Sequence, residues 1–200
     1  KIHVNQLIND SEEGRFVASS IFENKNNFQL NNDSFAVLYR TNAQSRSIED
    51  ALRRKNIPYQ VYGGLSFYQR KEIKDVLAYL RVIVNPSDEE SIKRIINYPL
   101  RGIGQSTVEK LLIYSNENQI TLFDTIKSRN TIPINLNLGT KNKLHDFFVL
   151  IKNFQLLNEN KNAFDIAKEV VNRLNIVNIL KTDGSQESIS RIENIEELIN

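Results

Sequence analysis

The stretch Ser34-Phe35-Ala36-Val37-Leu38-Tyr39, running into Arg40-Thr41-Asn42-Ala43-Gln44-Ser45-Arg46, decides how this chain is read. Its first half is an apolar run of strand length, which implies a strand buried on both faces. Its second half changes period, and Ile48, Ala51 and Leu52 then fall on one face of a helix over 43–55. Upstream, Ile2 to Val4 reads as a short strand. Ser11 can cap the helix that follows, with Glu12 and Glu13 complementing its dipole, and Asn24 to Asn32 reads as a polar loop. Downstream, Pro58 precedes a third strand, Tyr59-Gln60-Val61-Tyr62, which Gly63-Gly64 ends. Strand, helix, strand, helix, strand predicts parallel pairing through right-handed crossovers, hence a partial α/β sheet in the N-terminal third.

From Arg70 onward the pattern is helical. Ile73, Val76, Leu77, Leu80, Ile83 and Val84 carry one helix, which Pro86 stops. Shorter helices are expected at 88–97, 105–115 and 121–128, and longer ones at 139–159, 162–181 and 185–199, with Gly184 separating the last two. The expected fold is thus α/β over 1–68 and all-α over 69–200, mostly helical overall.

Composition narrows function. The 200 residues carry 26 Lys and Arg against 24 Asp and Glu, a net charge of +2, which excludes a strongly basic nucleic-acid glue but not a local patch. Residues 68–130 hold ten basic and eight acidic residues, and 131–200 hold eight and nine, so charge alone does not separate a DNA partner from a protein one. Without Cys there is no disulfide, thiolate metal site or cysteine nucleophile. With only His3 and His145, a multi-histidine metal site or an ordinary triad is not expected. No apolar run approaches the roughly 20 residues that span a bilayer. No membrane partner is expected, and with no targeting segment at the start the expected compartment is the cytoplasm. The lack of Met, and a start inside a strand, lead us to expect a piece of a longer polypeptide.

Three stretches can carry function, and each also has a plain structural explanation. Arg40 to Arg46 lies where a strand gives way to a helix, the edge at which open sheets bind ligands. Free N–H groups there can hold a phosphate beside Arg40 and Arg46, or the stretch is a cap with solvated arginines. Arg101-Gly102-Ile103-Gly104-Gln105-Ser106-Thr107 joins two helices. It can grip a DNA backbone without reading bases, or serve only as a connection. Gly63-Gly64 through Arg70-Lys71 can be a hinge or a turn with packed aromatics. No Gly-x-x-x-x-Gly-Lys-Ser/Thr occurs, so no P-loop is present. Asp88-Glu89-Glu90 reads as helix-start charge rather than a metal site.

Taken in order, these stretches resemble superfamily 1 DNA helicases of the UvrD/PcrA/Rep type. Phe35 to Arg46 is similar to the segment opening the second motor domain. Ile57-Pro58-Tyr59, Tyr62-Gly63-Gly64, Phe67-Tyr68 and Arg70 to Arg81 resemble the next blocks. Arg101-Gly102-Ile103-Gly104 with Ser106-Thr107 resembles the following turn, and Arg191 to Leu198 the closing block of the region. The resemblance is strongest over 35–114 and near 191–198, and weak over 130–180.

The resemblance implies that residues 1–68 begin the RecA-like motor domain 2A and that 69–200 are the inserted helical 2B domain. The parent would hydrolyse ATP with Mg, move 3′ to 5′ on single-stranded DNA and unwind duplex DNA in replication or repair. This piece would be inactive alone and hold no cofactor. Arg40, Thr41 and Asn42 would touch single-stranded DNA. Arg101, Gly102, Ile103, Gly104, Ser106, Thr107 and Lys110 would face duplex phosphates, and Gly63, Gly64, Arg70 and Lys71 would form the hinge. The expected partners are both forms of DNA and the remaining helicase domains of the same chain. Rival readings are the motor of a RecB/AddA-like helicase–nuclease subunit, and a stand-alone helical protein-interaction module.

Overall fold

A computed structural model of the chain describes residues 2–62 and 64–199. These form α1 (Asp10–Phe28), α2 (Ser45–Arg54), α3 (Lys71–Val84), α4 (Glu89–Ile95), α5 (Gln105–Glu117), α6 (Leu122–Lys127), α7 (Leu138–Asn158), α8 (Ala163–Arg173), α9 (Ile176–Asp183) and α10 (Gln186–Leu198). Single 3-10 turns lie at Asn32–Ser34, Asn42–Gln44 and Phe67–Gln69. The chain divides into two compact units. One runs from the N-terminus to Ile73 and takes in Gly184–Leu198, and the other is Lys74–Asp183.

The partial parallel sheet expected in the N-terminal third is not there, because no strand occurs among the described residues. Residues 35–39 are extended but unpaired. Phe35, Val37 and Tyr39 are half-buried while Ala36 is exposed and Leu38 is 95% exposed, so one face is covered rather than two. Val37, Tyr39 and Tyr59 pack against a small core of Ala18, Ile48, Ala51, Leu52 and Ile57 supplied mainly by α1 and α2. Ile2 and Val4 lie almost fully exposed. The physical reason is general. An apolar run encodes an extended backbone, whereas a sheet also needs a second segment to complete its hydrogen-bond ladder.

Local chemistry explains the helices of this first unit. Asn9 caps α1 by accepting the Glu12 N–H at 2.9 Å, two residues ahead of the expected Ser11. The helix then continues through the segment read as a polar loop, and Gln29 stops it in the left-handed region at φ 53. Gly14 is where α1 and α2 touch: a Cβ there would sit 2.3 Å from the Ser47 carbonyl oxygen. Any side chain at 14 would force the two helices apart.

The second unit is a helical cluster around Tyr79, Ile92, Ile95, Leu111, Ile126, Phe147, Ile151 and Phe154, all fully buried or nearly so. Each such side chain stabilises by about 1.5–3 kcal/mol relative to exposure. Asp88, Thr121, Asn137 and Asn162 cap α4, α6, α7 and α8, each accepting a backbone N–H at 2.8–3.0 Å. The helix expected over 162–181 is broken in two at Asn175, which sits at φ 55. Gly184, at φ 63, ends α9.

Candidate nucleic-acid interface

The first candidate turn is built by hydrogen bonds within the first unit. Gln44 Oε1 accepts the backbone N–H groups of Arg40 and Thr41 at 2.9 and 3.0 Å, and the Ser45 hydroxyl donates to the Asn42 carbonyl at 3.0 Å. The Arg40 and Asn42 side chains are left exposed, with no polar partner among the described residues. Arg46 is used differently: it pairs with Glu197 at 3.6 Å and lies over the Phe67 ring at 5.6 Å. The turn therefore offers one cation and one amide on a fixed backbone, donors suited to a phosphate.

What fixes that turn is Arg70, only 7% exposed. Its Nη1 donates to the Asn42 carbonyl at 2.6 Å and to Asn194 Oδ1 at 2.7 Å, and its Nη2 donates to Ser45 Oγ at 3.1 Å. Nε reaches the Leu65 carbonyl at 3.3 Å, and the guanidinium lies over the Phe67 ring. Asn194 in turn donates to Glu72 Oε1 at 2.7 Å. Burial pulls the Arg70 pKa down, while Glu49 and Glu72 act in the opposite direction. Arg70 is thus a buried brace inside the first unit.

Beside it lies a carboxylate that the sequence did not single out. Glu49, 3% exposed, accepts from the Ser66 hydroxyl, from the Phe67 N–H at 3.0 Å and from the Tyr59 hydroxyl at 2.9 Å. Burial alone would raise its pKa. The hydrogen bonds from Ser66, Phe67, Tyr59 and Ser45 outweigh it and hold the carboxyl below the ordinary 4.5.

The second candidate turn lies in the second unit. Arg101 points inward: its Nη1 donates to the carbonyls of Ile95 at 3.0 Å and Tyr98 at 2.7 Å, and its Nη2 to the Tyr79 hydroxyl at 2.7 Å. The guanidinium also lies over the Phe147 ring. Tyr79 donates to the Tyr98 carbonyl, and burial pushes its pKa up to about 12 against the pull of Arg101. Asn97 Oδ1 accepts the N–H groups of Arg101 at 2.9 Å and Ile103 at 3.1 Å, and the Ile103 side chain is buried. Gly102 has φ 70, a conformation that favours glycine. Gly104 is the N-cap of α5 at φ −74, with open space where a Cβ would go. The Ser106 and Thr107 hydroxyls and the exposed Lys110 ammonium have no partner among the described residues. The outward face of this turn is therefore Gly102, Gly104, Ser106, Thr107 and Lys110, while Arg101, Asn97 and Ile103 hold it from beneath.

Of the expected hinge residues, Gly63 lies outside the described residues. Gly64 is exposed with open space around it, and Lys71 is exposed at the start of α3. Lys143, in the region of weakest resemblance, reaches the second turn and donates to the Gly102 carbonyl at 3.1 Å. No helix among the described residues is long and apolar enough to cross a membrane. Nor does any group of three His, Asp or Glu gather among them to hold a metal ion.

Each turn, taken within its own unit, presents exposed polar groups around a cap or a glycine, chemistry that suits a phosphate. A profile of the UvrD-like helicase C-terminal domain matches residues 1–200, and the chain belongs to that family. It is 38% identical over 199 residues to ATP-dependent DNA helicase PcrA of Staphylococcus aureus (strain Mu50 / ATCC 700699). It is equally similar to PcrA of Staphylococcus epidermidis (strain ATCC 12228 / FDA PCI 1200). Each alignment covers 100% of this chain and 27% of the relative, so the chain spans about a quarter of these curated relatives.

Proposed function

We propose that this chain serves an ATP-dependent DNA helicase that moves 3′ to 5′ along single-stranded DNA and unwinds the duplex ahead. The observation that carries this reading is the family match along the entire chain. In this account residues 1–68 begin motor domain 2A and residues 69–200 are the inserted helical 2B domain. Arg40, Thr41 and Asn42 touch the single strand, held in place by Arg70. The outward face of the Gly102–Gly104 turn, with Ser106, Thr107 and Lys110, takes duplex phosphates, and Arg101 acts by building that turn. No base edge is read, so binding is independent of sequence. Gly63, Gly64, Arg70 and Lys71 form the hinge segment between the two domains, with Arg70 anchoring it to the Asn42–Ser45 turn. ATP and Mg are held by the remaining helicase domains and supply the energy of phosphoryl transfer.

The test uses the full-length protein. Arg40→Ala and Asn42→Ala should each weaken binding to a dT oligonucleotide and slow DNA-stimulated ATP turnover, with much less change in basal turnover. Equal loss of basal turnover would place the turn at nucleotide phosphates instead. Normal oligonucleotide binding by both variants would reduce it to a helix cap.

A further inference from the structure

Lys143, a cation of the weakly resembling stretch, is carried by the fold to the second candidate DNA turn. It sits on α7, 41 residues from Gly102, and its ammonium donates to the Gly102 carbonyl at 3.1 Å. The ammonium sits close against position 102, where a Cβ would lie 2.6 Å from Lys143 Nζ and displace it from this seat. An ammonium has three donors, and this contact uses one. Lys143 is exposed and pairs with no carboxylate among the described residues, although Lys93 and Lys161 both do. A cation left unneutralised and seated on a backbone turn has the chemistry of a phosphate contact. It is a compact point charge that needs no bidentate geometry.

We infer that Lys143 is a duplex-binding residue, adding a phosphate contact from α7 to the face formed by the Gly102–Gly104 turn. The inference rests on the duplex reading of that turn and extends it to an element the turn's own sequence does not include. Lys143 acts twice: its hydrogen bond fixes the Gly102 carbonyl, and its remaining donors meet the DNA backbone. The contact is purely electrostatic, so its mark is a counterion released on binding.

The experiment measures full-length protein binding to a dT-tailed duplex and to a dT oligonucleotide by fluorescence anisotropy, over 50 to 200 mM salt. Lys143→Met should lower affinity for the tailed duplex and reduce the slope of log affinity against log salt by about one. The loss of affinity across that salt range should then shrink roughly three- to four-fold. Oligonucleotide binding should not change, and Lys143→Arg should restore the slope. Lys143 is exposed, so its variants should melt with the parent, and Gly104→Val serves as the control for the turn itself. Weakened duplex binding in Gly104→Val with a parental slope in Lys143→Met would refute the lysine contact and leave the turn's role standing. Parental duplex binding by Gly104→Val would refute the turn, and the lysine contact with it. A drop in affinity at an unchanged salt slope would make Lys143 a brace for the Gly102 carbonyl only.

Discussion

Replacing Arg70 by Met keeps most of the buried volume and removes every hydrogen bond the guanidinium makes. Two of these are short and charge-assisted, to the Asn42 carbonyl at 2.6 Å and to Asn194 Oδ1 at 2.7 Å. Hydrogen bonds to charged groups contribute about 1.5–3 kcal/mol each, and the variant leaves Asn194 Oδ1 bare in the interior, while the Asn42 carbonyl keeps the Ser45 hydroxyl. Relief of the buried charge offsets part of this, leaving a net cost of about 3 kcal/mol. Arg70→Lys keeps the charge but not the fork, so it should recover only part of the loss. The chain has two compact units, so a single melting temperature would mix them. Hydrogen exchange read peptide by peptide separates them. A cost of about 3 kcal/mol should speed exchange of the most protected amides in α1, α2 and α10 roughly a hundred-fold. Amides of α8, in the other unit, should stay within a few-fold of the parent. Unchanged exchange in α10 would refute the role assigned to the Arg70–Asn194 pair, and equal acceleration in α8 would refute its confinement to the first unit.

Glu49 makes stability depend on pH. Its folded-state pKa lies below the ordinary 4.5, so its contribution is complete above that value and drains away as pH falls through the folded pKa. Urea unfolding of the first unit should therefore show stability declining from about pH 5 toward pH 3, and Glu49→Gln should flatten that decline. An equally steep decline in the variant would assign the acid sensitivity to other carboxylates. The two turn glycines should also separate. Gly102→Ala meets both φ 70 and the Lys143 ammonium and should cost about 1–2 kcal/mol, whereas Gly104→Ala, at φ −74 in open space, should melt within about 0.5 kcal/mol of the parent. The reverse order would contradict the turn geometry.

What the sequence made legible follows the range of the interactions involved. Apolar periodicity placed α3 and α5, because a helix is specified within a few residues of itself. Asp88 and Thr121 were readable as helix starts for the same reason, since a cap bonds a backbone three residues on. The sheet was not, because residues 35–39 carry strand chemistry while pairing depends on a partner no local pattern announces. The break at Asn175 was hidden by the apolar Leu174, Ile176 and Val177 around it, which continue the helical pattern. At the candidate site the exposed residues were legible, whereas their supports were not. Asn194 braces Arg70 across 124 residues and Lys143 reaches Gly102 across 41. Asn97 sits among Ile95, Ile96 and Tyr98, and only the folded turn reveals that its side chain holds two backbone N–H groups. Arg101 shows the same limit from the other side: a cation beside a glycine turn resembles a phosphate ligand until its donors are seen to point inward.

Strand displacement by the full-length protein tests the central claim most directly. Given ATP and Mg, it should separate a duplex bearing a 3′ single-stranded tail, should fail on the same duplex with a 5′ tail, and should stop when ATP is withheld. Release of neither duplex, under conditions where DNA still stimulates its ATP turnover, would contradict the account.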